Sequence, residues 1–93
     1  YYETISYCNQ ANEFKPFCLR GLGAFIARNS NYAPEKVIER CGSNPGYENC
    51  ISGAAAEYGL SLEISRGIEF CSKLGFQSLN CYLEFFHKLA KHI

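Results

Sequence analysis

The chain has 93 residues, and its nine basic residues balance nine glutamates, so the formal net charge is zero. A neutral chain of this size forms one domain and lacks the basic surface that binding to nucleic acid requires. No apolar run approaches the length of a transmembrane helix. We therefore expect a single domain over residues 1–93, with no nucleic-acid partner and no transmembrane segment.

The cysteine content points to an oxidising compartment. Six cysteines in a short chain are typical of three disulfides. Disulfides stabilise small domains whose hydrophobic core is not large enough to stabilise the fold by itself. We predict a secreted, extracellular or periplasmic protein, and we interpret Tyr1 as the start of a processed or excised segment. Zinc is not expected, because the closely spaced cysteine pairs of structural zinc sites are missing. No other cofactor is predicted.

The cysteine spacing indicates an internal repeat. The pairs follow the intervals C-x9-C, C-x8-C and C-x9-C, and equivalent cysteines recur every 30 to 33 residues, at Cys8, Cys18, Cys41, Cys50, Cys71 and Cys81. An isoleucine precedes the first cysteine of each pair by three residues, at Ile5, Ile38 and Ile68. The pattern predicts about three repeats of ~31 residues. The repeat is also expected to be able to continue in a longer precursor.

Most segments between the breaks have the apolar spacing of amphipathic helices. A first helix ends near Cys8, and a second follows Cys18. Pro34 fits the first turn of a helix over residues 35–41. The helix after Cys50 is expected to stop at Gly59.

The C-terminal part predicts two more helices. Ser61 is a candidate N-cap for a helix over residues 62–71. The helix after Cys81 carries a wide apolar stripe, formed by Tyr82, Phe85, Phe86, Leu89 and Ile93. No segment alternates with period two. The predicted fold is all-α, with five to six short helices stacked as consecutive disulfide-stapled helical hairpins.

Helix breakers separate the two cysteines of each pair: Pro16, the segment 42–46 and Gly75. Each unit is therefore predicted to be helix, cysteine, loop, cysteine, helix. The favoured disulfides are local and join Cys8 to Cys18, Cys41 to Cys50 and Cys71 to Cys81. Antiparallel helices would also permit 18–41 and 50–71, with 8–81 across the domain, and the sequence alone cannot exclude that scheme.

Catalytic chemistry has no obvious residues in this chain. The chain lacks aspartate, and its two histidines, His87 and His92, lie about 140° apart on the last helix. Glu84 and His87 form a single Glu-x-x-His motif, which is too little for a di-metal site. The G-x-G of Gly21 and Gly23 lacks the strand and third glycine of a dinucleotide site, so we expect helix packing there. The chain is predicted not to be an enzyme, with no catalytic and no metal-binding residues.

Aromatic residues are in surplus, at 15% of the chain. Five of them fall in predicted loops and are candidate partner-binding residues: Phe14, Phe17, Tyr32, Tyr47 and Phe76. Tyr1, Tyr2 and Tyr7 add to this set on the first helix. Aromatic side chains are favoured anchors at protein interfaces. We therefore predict a non-enzymatic interaction module, such as a small accessory or structural subunit of an extracellular assembly, which docks a protein partner through an aromatic-rich surface. Its oligomeric state stays open.

Two families share part of the cysteine pattern. In size, helical character and the central C-x8-C interval the chain is similar to the saposin-like family, although it lacks that family's C-x-x-C-like start. This resemblance implies lipid binding or interaction with a membrane, and a nested disulfide pattern with 8–81 outermost would favour it. The intervals 8–18 and 71–81 resemble those of twin C-x9-C helical hairpins. In that family the nine residues are helical, whereas Pro16 and Gly75 interrupt them here.

Overall fold

The computed structural model describes residue 8 and residues 10–42 and 47–92. These ranges hold five α-helices: Lys15–Asn29 (α1), Pro34–Cys41 (α2), Tyr47–Leu60 (α3), Ile64–Ser72 (α4) and Ser78–Ala90 (α5). No β-strand occurs in them, which confirms the predicted all-α class. Short 3-10 turns at Asn12–Phe14 and Gly75–Gln77 lead into α1 and α5. The predictions for residues 43–46 and for Tyr1, Tyr2, Ile5, Tyr7 and Ile93 fall outside the described residues.

Helix α3 lies at the centre of the fold. It packs along α1 and along α5, while α2 and α4 contact each other and cover the remaining side. The largest fully buried side chains are Tyr58 of α3, Phe70 of α4 and Phe85 of α5. The rings of Tyr58 and Phe70 lie 4.9 Å apart between their centroids. The core is therefore shared by α3, α4 and α5, and it extends into α1 through Leu19 and Ile26.

Two prolines mark helix starts. α2 begins at Pro34, as the sequence predicts, because a proline in the first turn loses no helical hydrogen bond. Pro16 also lies in the first turn of a helix, α1, which begins at Lys15 and runs through Cys18. The prediction that Pro16 interrupts the segment between the first two cysteines is therefore wrong, and the break lies earlier, around Asn12.

The predicted junction between α3 and α4 is wrong in two places. Gly59 does not end α3, since the helix continues to Leu60 and Gly59 packs against α5. Ser61 is not the N-cap of α4, because the chain turns at Leu62, whose φ is +57°, and α4 starts at Ile64. The Ser61 hydroxyl donates instead to the carboxylate of Glu57, at 2.6 Å.

The three disulfides follow the local pairing. Cys8 is joined to Cys18, Cys41 to Cys50 and Cys71 to Cys81, with Cα–Cα distances of 5.4, 5.7 and 5.4 Å. No described cysteine is free. The competing scheme with 18–41, 50–71 and 8–81 is excluded by these bonds. The second and third disulfides each tie the end of one helix to the start of the next.

The closest helix contact in the fold depends on two glycines. A Cβ atom at Gly23 of α1 would overlap the carbonyl oxygen of Cys50. A Cβ atom at Gly53 of α3 would overlap the carbonyl oxygen of Arg20. The two backbones therefore touch where α1 crosses α3, which agrees with the packing role expected of Gly23. Gly21, by contrast, has no atom within 4 Å of its Cβ position.

Candidate interaction surfaces

The five predicted partner-binding aromatics divide into two groups. Phe14, Phe17 and Phe76 are exposed by 63 to 91%. Tyr32 and Tyr47 are half-buried and pack against the core. Phe17 lies in α1 and Tyr47 in α3, so the prediction that both residues fall in loops is wrong. Only the three phenylalanines therefore offer their rings to a partner in the way that the sequence predicts.

Tyr32 has a structural role. Its hydroxyl donates to Oε2 of Glu57, at 2.9 Å, and the Arg28 guanidinium donates to Oε1 of the same carboxylate, at 3.1 Å. Glu57 is buried, and a buried carboxylate needs such partners. The Tyr58 hydroxyl in turn donates to the Tyr32 carbonyl oxygen, at 3.0 Å. Tyr32 thus anchors the turn after α1 to the middle helix.

The raised pKa values of Tyr58 and Tyr32 predict a loss of stability at alkaline pH. Burial raises the pKa of Tyr58 far above its ordinary value, and burial also raises the pKa of Tyr32. In the unfolded chain both groups ionise near pH 10, so above that pH the unfolded state loses protons first and the free energy of unfolding falls. Denaturant unfolding monitored by circular dichroism should show this decline between neutral pH and pH values above about 10. Tyr58→Phe should flatten it, and an identical decline in that variant would contradict the assignment.

The most exposed apolar surface runs along α5. We call it the α5 apolar face, and it consists of Phe76, Leu79, Leu83 and Phe86. Leu79, Leu83 and Phe86 follow one another at spacings of four and three residues and so share one side of the helix. Leu79 and Leu83 are 68% and 62% exposed. Phe76 lies three residues before Leu79, in the 3-10 turn that leads into the helix.

This face continues toward α4. The ring of Tyr82 stacks on that of Phe86, with centroids 6.0 Å apart, and the Tyr82 hydroxyl donates to the Ile68 carbonyl oxygen, at 3.2 Å. Ile64 and Ile68 of α4 are themselves exposed. Apolar side chains at the surface are ordinary when they are scattered, but a continuous set is typical of an interaction site.

A cavity of about 570 Å³ lies between α3 and α5, beside the α5 apolar face. Leu83 lines it and also belongs to that face. The other lining residues are mostly polar: Glu48, Ile51, Ser52, Gln77, Asn80, Cys81, Glu84 and His87. The guanidinium of Arg20, from α1, donates to the Glu84 carboxylate at 2.5 Å. The Glu-x-x-His motif of the sequence is therefore placed at this cavity, with its glutamate already paired.

The geometry of the described residues offers no candidate metal site. In the parts of the chain that the structure describes, no group of three histidine, cysteine or acidic side chains could hold a metal ion. No helix among the described residues is long and apolar enough to cross a membrane.

Leu79 and Leu83 are not among the residues predicted from the sequence. The predicted apolar stripe on the last helix comprises Tyr82, Phe85, Phe86, Leu89 and Ile93, of which Phe85 and Leu89 face the core. Leu79 and Leu83 widen the apolar surface of α5 well beyond the arc of about 100° that packing against one core requires. That excess was the available signal for a second apolar face.

Comparisons with protein-family models, with curated proteins and with solved structures found no match to the chain. The class of protein is therefore defined by the described fold alone, as a small all-α protein with three disulfides.

Proposed function

We propose that the protein is a non-enzymatic interaction module of an oxidising extracellular or periplasmic compartment, which docks a protein partner. The observation that carries the proposal is the α5 apolar face, whose four large side chains are left to solvent by the described fold. Exposed apolar side chains cost free energy in water, and a partner that covers them recovers it. The three disulfides support the choice of compartment.

The surroundings of the face favour a protein as the partner. Leu83 connects the face to the cavity, where Gln77 and Asn80 offer amide groups and Glu48 offers a carboxylate. Interfaces between proteins combine a few apolar anchors with such polar groups at the rim. The matching partner surface has apolar residues that cover Leu79 and Leu83, next to a hydrogen-bonding or basic side chain that enters the cavity.

The test compares the wild type with two variants that alter exposed leucines at different places. Leu79→Glu/Leu83→Glu places two charges in the α5 apolar face. Leu60→Glu/Leu62→Glu, at the turn after α3, is the matched control, because Leu60 and Leu62 are also exposed. The wild type and the two variants are used as baits in extracellular fluid. Any captured protein is then purified and titrated against each of the three by calorimetry.

The expected result is a partner whose affinity falls at least tenfold, about 1.4 kcal/mol, for the α5 variant and stays unchanged for the control. A partner that binds all three baits equally would show that this face is not the docking surface. Circular dichroism of each variant establishes that the fold is intact.

Lipid binding is the second candidate, and the same face supports it. Lys88, Lys91 and two histidines lie at the end of α5, and a basic amphipathic helix can lie on an anionic membrane. The local disulfides remove the nested pattern that would have favoured the saposin-like family. Flotation with vesicles of equimolar phosphatidylcholine and phosphatidylserine distinguishes the two functions. Co-flotation that Leu79→Glu/Leu83→Glu abolishes would favour lipid over a protein partner.

We also propose that the chain is a stack of three repeated disulfide-stapled units, which gives the extended surface such a module needs. The loops of the first and third units support this. The Ala11 amide donates to the Cys8 carbonyl oxygen, and the Leu74 amide donates to that of Cys71. Asn12 and Gly75, the next residues, have φ values of +54° and +61°.

The turns between units support the repeat independently. The Tyr32 amide donates to the Ala27 carbonyl oxygen after α1, and the Glu63 amide donates to the Tyr58 carbonyl oxygen after α3. Both are the six-residue closures of a helix C-terminus. They lie 31 residues apart, one fewer than the 32 residues between Cys18 and Cys50, the cysteines that precede them.

A further inference from the structure

The cavity between α3 and α5 has an apolar floor and polar walls. Ile51 and Cys81 line it and are almost completely buried, so they form its floor. On the α3 side, Glu48 and Ser52 stand four residues apart and so lie on one side of the helix. Its volume of about 570 Å³ lies within the range of about 300–1,000 Å³ that is typical of ligand sites.

The α5 wall joins the cavity to the α5 apolar face. Asn80, Glu84 and His87 line the cavity and follow one another at spacings of four and three residues, along one side of the helix. Leu83 also lines the cavity, is 62% exposed and belongs to the α5 apolar face. A side chain of a partner that covers this face can therefore pass over Leu83 into the cavity.

The charges of the walls favour a cation. Glu84 is paired with Arg20, so with histidine counted as neutral the remaining formal charge is the carboxylate of Glu48. An anionic group in the cavity would be repelled by Glu48, whereas a cationic group would be attracted to it. The side-chain amide oxygens of Gln77 and Asn80 are further hydrogen-bond acceptors in the walls.

We propose that this cavity binds an arginine of the protein partner, with the guanidinium between the walls and the aliphatic stem on Leu83. The proposal rests on the proposed function, because the arginine belongs to the protein that covers the α5 apolar face. A guanidinium has five donors in one plane and can pair with Glu48 while it donates to the amide oxygens of Gln77 or Asn80. A lysine ammonium is a strongly hydrated point charge and loses more of its hydration on entry.

The expected contribution to affinity is small. Glu48 is exposed, and ion pairs at exposed positions change affinity by only about two- to fivefold. The apolar residues on the partner therefore supply most of the affinity, while the arginine fixes the orientation of the partner on α5.

The first test uses hexylguanidinium, an arginine-like head on an apolar chain, and needs no partner. It is titrated at pH 7 into the full chain, labelled with ¹⁵N and with its disulfides intact, and the side-chain amide signals of Gln77 and Asn80 are followed by NMR. These signals should shift saturably, with a dissociation constant in the millimolar range expected of a probe of about ten non-hydrogen atoms. Methylguanidinium, which lacks the chain, and hexylammonium should both bind more weakly, and hexyl sulfate should bind most weakly.

Two matched variants locate the charge that attracts the probe. Glu48→Gln keeps the shape of the side chain and should weaken hexylguanidinium binding about two- to fivefold. Glu39→Gln removes the same charge from an exposed position on α2 and should leave binding unchanged. Circular dichroism checks that both variants fold. A purified partner titrated by calorimetry should show the same loss for Glu48→Gln and none for Glu39→Gln.

Several outcomes would overturn the proposal: no saturable shift with hexylguanidinium, equal binding of hexyl sulfate, tighter binding of hexylammonium, or no effect of Glu48→Gln on the probe or on the partner. The probe titration is separate from the comparison of baits with altered leucines. A partner that binds those baits equally would remove the proposed function and, with it, the partner's arginine as the occupant. A failed probe titration would leave docking through Leu79 and Leu83 in place.

Discussion

Replacing Gly53 by alanine is expected to lower the free energy of unfolding by about 3 kcal/mol, whereas the same replacement at Gly21 should raise it by about 0.5–1 kcal/mol. Both glycines lie in helix interiors, so the gain in helix propensity is the same. Only at Gly53 would the new methyl group overlap the backbone of Arg20 on α1. Backbone atoms cannot move aside as a flexible side chain can, so α1 and α3 must separate.

The measurement is denaturant unfolding with the disulfides intact. Gly23→Ala provides a second test of the same contact, because its methyl group would overlap the Cys50 carbonyl group from the other side. If Gly53→Ala were as stable as Gly21→Ala, the close approach of α1 and α3 would be contradicted.

Replacing both Cys41 and Cys50 by serine is expected to lower the free energy of unfolding by about 2.5–3 kcal/mol. The disulfide closes a loop of about ten residues, and removing it gives the unfolded chain back the conformational freedom of that loop. Both cysteines are buried, so the serine hydroxyls add a further desolvation cost. Thermal and denaturant unfolding of the oxidised proteins measure the loss.

The matched control replaces Cys41 and Cys50 by alanine, which removes the bond without adding hydroxyl groups. Disulfide mapping by mass spectrometry on unreduced wild type provides the independent check, with 41–50 expected beside 8–18 and 71–81. An unchanged melting temperature in both double variants would contradict the 41–50 bond.

The fold class was predictable from local signals. Apolar residues at helical spacing predict helices, and Pro34 marks the start of α2 because a first-turn proline is a local preference of the backbone. The pairing of the cysteines was also favoured by local spacing, since each bond closes a loop of about ten residues. The errors, at Pro16, Gly59 and Ser61, concern where a helix begins or ends. There, a local preference competes with tertiary packing: Gly59 lies within α3, where its missing side chain leaves room for the backbone of α5.

The candidate surfaces were predictable only in part. Loop position suggested five aromatics, and three of them, Phe14, Phe17 and Phe76, are exposed. Tyr32 is half-buried and not exposed, because its hydroxyl donates to Glu57, which lies 25 residues further along the chain. Leu79 and Leu83 were missed because an apolar residue in an amphipathic helix is expected to face the core.

By itself, the sequence determined that this chain is helical and that its cysteines can be bonded within local pairs. These properties depend on composition and on neighbours a few residues apart. The tertiary structure alone decided which apolar side chains are covered. α5 has apolar residues on more than one side, and only the position of α3 and α4 determines that Phe85 is buried while Leu79 and Leu83 meet solvent. Whether a side chain is buried depends on the element that packs against it, and that element is encoded in another part of the sequence.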